Sequence, residues 1–227
     1  MKKITAFTLT ELLVALGIIG AIAALAVPST LNNIHNRTMA NQMKSVNQSL
    51  QTLIYDQMLK HKTKNLSETD FSSFDKLFQK TNFDITRLCK NDDKNCWKTN
   101  SSATGKVTYK KINGGDVDFN NKTYMKNGAL LTNGTLLGFE TQNGALADGD
   151  TIIAHIVVDV NGNEPPNILG RDFHSIHITK KGRIIGDSIM DGNKAPTTTA
   201  EKITKCKAGS AGYCFDVLVD NGWVMSY

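Results

Sequence analysis

The chain lacks most of the short signatures by which an enzyme or a nucleotide binder is read from sequence. It has no glycine-rich phosphate loop and no Gly-x-Ser-x-Gly elbow, so neither phosphate cradling nor an elbow-borne nucleophile is indicated. Ser73-Phe74-Asp75-Lys76 matches Ser-x-x-Lys, but the companion elements of that acylase pattern are missing. His174 and His177 lie three apart on an expected strand, which sends them to opposite faces, and His35, His61 and His155 have no matching partner along the chain. We therefore expect no catalysis. No repeat of solenoid length is visible. Cysteine is scarce, four residues in two pairs with six and seven residues between their members, wider than the two to four usual in zinc sites. The net charge of +5 is spread over Lys60–Lys64, Lys110–Lys111, Lys180–Arg183 and Lys202–Lys207, with no aromatic ladder alongside. A solvated surface accounts for that charge better than a nucleic-acid partner, which stays open as a rival.

What the chain does have is one long apolar run, and it lies at the N-terminus. Lys2 and Lys3 precede it, and from Leu12 to Val27 no residue is charged or strongly polar. Glu11 stands near its start. A carboxylate at mid-span costs roughly 2.5–3.5 kcal/mol on insertion scales, so one kept near such a run marks a functional residue. The helix N-terminus offsets part of that cost. The segment from Phe7 to Pro28 holds no cation, so a positive partner for Glu11 must be a newly made N-terminus, its own or that of another subunit.

The stretch Ala6-Phe7-Thr8-Leu9-Thr10-Glu11-Leu12-Leu13-Val14 resembles the processing site of type IV prepilins and type II secretion pseudopilins: a short basic leader, a small residue, Phe, and Glu four residues later. The resemblance implies cleavage between Ala6 and Phe7 by a prepilin peptidase, N-methylation of Phe7, and pairing of Glu11 with the Phe7 amine of a neighbouring subunit during assembly. Ala6 replaces the usual Gly, and Thr10 stands where an aliphatic residue is commoner. The partners implied are other pilin or pseudopilin subunits, the inner membrane, and an assembly platform with its ATPase. The implied location is a single-pass inner-membrane protein with a periplasmic domain, then a periplasmic or extracellular filament. A conventional signal peptide cut after Ala26 and a plain anchor are the alternatives.

Past the run, Pro28 is expected to kink or open the helix, and a helical pattern then resumes. Met39, Met43, Val46, Leu50 and Leu53 recur at spacings of four and three, widened by Ile54 and Met58, while Asn41, Lys44, Asn47, Gln48 and Gln51 fill the other face. A helix from Phe7 to about Lys60 would be about 80 Å long. The expected organisation is a leader (1–6), a membrane and filament-core half-helix (7–28), an amphipathic half (29–64) and a globular α+β domain (65–227).

The globular part is long enough for one real core. One or two short helices are expected between Asn65 and Leu88, capped by Ser67 or Asp70. Strands are expected at 107–112, 123–126, 136–141, 152–160, 175–179 and 183–185, between Asn-Gly, Gly-Gly and Lys-Gly turns. Asp220-Asn221-Gly222 reads as the turn of a hairpin joining 215–219 to 223–226. A long helix followed by an antiparallel sheet is α+β, which matches the pilin-like fold the resemblance implies. In an oxidising compartment two local disulfides are favoured, Cys89–Cys96 and Cys206–Cys214, with crossed pairings still allowed; the second loop also resembles the C-terminal disulfide region of many pilins.

Asp159-Val160-Asn161-Gly162-Asn163 places side-chain oxygens at alternate positions of a turn, like the first half of a calcium loop, and Asp172 could add a second carboxylate. Gly162 comes too early for an EF-hand, and Pro165 and Pro166 break any exit helix. The rival reading is a strand-ending turn in which Asp159 and Asn163 bond their own backbone. The functional expectation is a structural filament subunit without a catalytic cofactor, its one candidate ion being calcium. The alternatives are a DNA-binding minor pilin and a membrane-tethered periplasmic domain that does not polymerise.

Overall fold

The computed structural model describes residues 8–79, 83–90, 96–98, 106–117, 127–190 and 198–227, with backbone alone for 25–30, 74, 75 and 79. Ala6, Phe7, the loop at Asp92–Asp93 and the strand expected at 123–126 lie outside these residues. The chain divides into two compact units, Met1–Thr38 and Met39–Tyr227.

Helix α1 spans Leu9–His61 and its backbone stays helical through Pro28, so the proline does not interrupt it. The helix stops in a left-handed cap at Lys62 (φ 51°), with Thr63 N–H donating to Met58 O at 3.1 Å. That bond closes the six-residue ring of a helix C-terminus. Among the described residues no helix is long and apolar enough to cross a membrane; the expected span 7–28 includes residue 7 and four side chains, 25–28, that are not described.

In the second unit, the stripe read from the sequence is the buried face. Met39, Met43, Val46, Leu50, Leu53 and Ile54 join one core with Leu137, Phe139, Ala154, Ile156, Val158, Ile176 and Ile178. Asn47, expected on the polar face, is buried with them. The sheet is antiparallel and six-stranded in the order β1-β4-β5-β6-β7-β8, formed by β1 (Ile85–Cys89), β4 (Gly128–Leu131), β5 (Leu136–Ala145), β6 (Thr151–Asp159), β7 (Phe173–Thr179) and β8 (Ile184–Ile185). A small ribbon pairs β2 (Tyr109–Lys110) with β3 (Asp116–Val117). Alternation puts Leu137, Phe139, Ala154, Ile156 and Val158 on the helix side, and sends Leu136, Val157 and Phe173 to a second core on the other face with Trp97, Tyr109 and Leu169. Strands β1, β3 and β4 were not expected. All three are short, too short for an alternating pattern to stand out.

The helices after α1 depart from expectation in two places. Between α1 and β1 the chain makes two single 3-10 turns, Leu66–Glu68 and Asp70–Ser72, and α2 (Phe74–Gln79). The caps are Asn65 and Thr69, not Ser67 or Asp70. The C-terminal hairpin is absent: the chain forms α3 (Thr199–Lys207) and α4 (Ala211–Asp220). Ala211, Cys214, Phe215 and Leu218 follow helical spacing and are buried. Ser210 accepts from Tyr213 N–H, and Asn221 closes the helix by donating to Val217 O. Asp220-Asn221-Gly222 thus ends a helix, with Gly222 and Trp223 at positive φ; Asn-Gly suits a helix C-terminus as well as a hairpin turn.

Candidate functional site

Among the described residues, the first unit is a helix whose large apolar side chains have no cover within that unit. Leu9, Leu12, Leu13, Val14, Leu16, Ile18, Ile19 and Ile22 are exposed, from 54% at Leu12 to 76% at Leu9. At its start Thr8 and Glu11 form a reciprocal cap. Thr8 N–H and Thr8 Oγ1 each donate to Glu11 Oε2 at 2.8 Å, and Glu11 N–H donates to Thr8 Oγ1 at 3.2 Å. This Thr-x-x-Glu box satisfies helix-end donors, a local role that the reading of Glu11 as an assembly residue had not included.

Both disulfides form as local pairs, Cys89–Cys96 and Cys206–Cys214, and no described cysteine is free. The first tethers the end of β1, next to the outer core. The second joins α3 to α4 across a tight turn.

Asp159 at the end of β6 and Asp172 just before β7 are fully buried. Tyr109 Oη donates to Asp159 Oδ2 at 2.6 Å, while Asn167 N–H and Ile168 N–H both donate to Asp172 at 2.6 Å. Burial pushes the Asp159 carboxyl well up, with the charge of Asp172 adding to it; burial likewise raises Asp172 to about 6 against its backbone bonds. Two facing buried carboxylates need a proton or a cation. Asp159 Oδ1, Asn161 Oδ1 and Asn167 Oδ1 are buried without a hydrogen-bond partner, which is the hard-oxygen chemistry calcium takes. Asn163 drops out of the expected set, because it accepts from Lys98 N–H and donates to Cys96 O. Asn167 replaces it. Asp159, Asn161 and Asn167 would hold a calcium ion, and Asp172, occupied by two N–H donors, would supply charge. Among the described residues no group of three His, Cys, Asp or Glu side chains is arranged for a metal, so any ion here depends on amide oxygens.

The third place is a polar row on the outer face of the sheet, and sequence reasoning missed it. His155 on β6 pairs in register with Glu140 on β5 and with His177 on β7. The two imidazoles stack, ring centres 4.7 Å apart and 16° from parallel. His155 Nδ1 lies 3.0 Å from Glu140 Oε1 and its Nε2 lies 2.8 Å from Ser175 Oγ. His177 Nδ1 lies 3.1 Å from Gln142 Oε1, and Nε2 lies 3.2 Å from Asp187 Oδ1. Ser210 Oγ, the α4 cap, donates to the other Asp187 oxygen. Burial pushes the His155 imidazole down, opposed by Glu140. Burial would raise Asp187, but its bonds from His177 and Ser210 prevail and hold its carboxyl below the usual range. An open cavity of about 490 Å³ lies over the row, lined also by Met190, Lys205, Ala208 and Tyr213. His155, unpartnered along the chain, meets Glu140, Ser175 and His177 across strands. His174 points to the helix side, fully buried, its Nε2 3.3 Å from Arg171 O, and burial drives it down to about 4. His61 meets Asp70 at 3.6 Å. The cue in sequence was alternation: Glu140 and Gln142, and likewise Ser175 and His177, are two apart and so occupy same-face positions of their strands.

Comparison with known proteins finds no match: no family model, no curated protein and no solved structure aligns with the chain.

Proposed function

We propose that the chain is a prepilin-like subunit, cut between Ala6 and Phe7 by a prepilin peptidase and assembled into a type IV pilus or secretion pseudopilus through its N-terminal helix. The observation that carries the reading is the helix from Leu9 to Ile22, apolar and uncovered within its unit, with Glu11 at its start. Surface this apolar needs lipid or identical helices around it. In this reading the inner membrane holds the helix first and neighbouring subunits hold it later, delivered by an assembly platform and ATPase. The globular α+β unit then decorates the filament.

Glu11 would set axial register. Both Thr8 bonds fall on Oε2, and the amine of a neighbour's Phe7 would come to the carboxylate from outside. A mismatched register would leave the charge without its cation, which is costly away from water. The test separates capping from charge. Glu11→Gln keeps an acceptor for the Thr8 bonds and removes the charge, whereas Glu11→Ala removes both. Both variants should be cleaved and inserted normally, as intact mass reports, and both should fall at least about tenfold in sheared-filament yield, since one unpaired charge exceeds 1.4 kcal/mol. Normal yield from Glu11→Gln would remove the assigned role.

A further inference from the structure

We propose that Ser175 is an activated nucleophile and that the cavity above it is an acyl-transfer centre for small esters. Three adjacent strands supply its parts: Glu140 from β5, His155 from β6 and Ser175 from β7. An ionised Glu140 only accepts, so the His155 nitrogen 3.0 Å away carries the proton. That assigns the lone pair to Nε2, 2.8 Å from Ser175 Oγ, which therefore donates its hydroxyl proton to the ring. A carboxylate on one imidazole nitrogen and a hydroxyl on the other is the arrangement that lets imidazole act as general base to a serine. Packing fixes the ring in this orientation, since it stacks on His177 and is 8% exposed. Its depressed basicity keeps it neutral near pH 7, as a base must be.

The cavity admits a substrate to this serine. Ser175 is half-buried and lines a space of about 490 Å³ together with Met190, Ala208 and Tyr213 as its less polar wall, within the size range of small-molecule sites. Lys205 lines it too and is the cation that would face charge developing on a carbonyl oxygen. In the reaction, Ser175 Oγ bonds to the ester carbonyl carbon as its proton passes to His155 Nε2. The C–O bond to the alcohol breaks, and that proton leaves with the alkoxide. A water then bonds to the acyl carbon, gives its proton to His155 Nε2, and the Ser175 oxygen departs and recovers it. The sum is ester plus water giving acid plus alcohol. His155 and Ser175 are the catalytic residues, and Glu140 is a positioning residue that fixes the tautomer.

This inference does not depend on filament assembly. The test is to incubate the full-length chain in detergent with a fluorophosphonate probe and p-nitrophenyl butyrate, reading the adduct site by peptide mass. Expected is one adduct on Ser175 and ester turnover, both abolished in Ser175→Ala. Labelling should fall at least about 100-fold in His155→Gln, the usual scale for a lost general base. In Glu140→Gln the maximal labelling rate should fall while the probe concentration at half-maximal rate stays the same. Ser175→Ala should still melt cooperatively, since Ser175 belongs to no hydrophobic core, so its loss of labelling would not reflect a lost fold. An unlabelled Ser175 in a wild-type protein that melts cooperatively would overturn the proposal, as would equal labelling in His155→Gln.

Discussion

Asp187 shows how one half-buried side chain can connect three elements. It sits in the 3-10 turn Asp187–Ile189, bonds His177 on β7 and accepts from Ser210 at the head of α4. Its folded pKa lies below the ordinary 3.8, so the sign of its pH effect is determined. The stability it contributes is present above the unfolded pKa and is lost as pH falls through the lower folded value. Asp187→Asn should therefore cost about 1–2 kcal/mol at pH 7, the lower part of the scale for hydrogen bonds to a charged group, since the carboxylate is only half-buried. The gap to wild type should narrow as pH drops below about 4. Denaturant melts of both proteins across pH 3–7 check this, and a gap independent of pH would refute the ionic role.

Two elements carry further expectations. The turn from Asp159 to Asp172 holds two buried carboxylates and three unpartnered side-chain oxygens. Calcium should raise the melting temperature of the full chain, by the equivalent of about 2.7 kcal/mol at a hundredfold excess over Kd. A chelator should reverse the rise, and Asn167→Ala should abolish it while Asn163→Asp does not restore it. A melt unmoved by millimolar calcium removes the site. The α3–α4 pair is bound by Cys206–Cys214, and Asp216 on α4 accepts from Gly186 and Ser188 N–H at 2.9 and 2.8 Å. Replacing both cysteines by serine should lower stability by about 2–3 kcal/mol, the scale of a short closed loop, read as a lower denaturant midpoint.

On the scale of the whole molecule, each unit has its own solvent requirement. Residues 39–227 contain all of the main core, including the buried face of α1, whereas residues 9–22 expose theirs. A chain beginning at Met39 should remain monomeric without detergent and melt in one cooperative transition, checked by sedimentation and calorimetry. The full chain without detergent should associate through the N-terminal helix. Association that persists in the shortened chain would place the sticky surface in the globular unit instead.

Local patterns made parts of this protein legible before any tertiary contact was known. The α1 stripe from Met39 to Ile54, the apolar start around Glu11, strands β5, β6 and β7, and the two short cysteine pairs all depend on neighbours within a few residues, or on a single periodicity. Helix α4 was misread because Phe215-Asp216-Val217-Leu218-Val219 reads as a strand while Ala211, Cys214, Phe215 and Leu218 repeat like a helix. Both patterns fit the sequence, and the cap at Ser210 with the burial of Ala211, Cys214, Phe215 and Leu218 decided between them. The exchange of Asn163 for Asn167 needed the contacts of Lys98 and Cys96, more than sixty residues away. Glu140, His155 and Ser175 are separated by whole strands, and only β-sheet register brings them within hydrogen-bond reach. Periodicity is a one-dimensional signal and determined which faces are apolar; which polar groups meet on those faces is a question of long-range pairing, and the tertiary structure alone decided it.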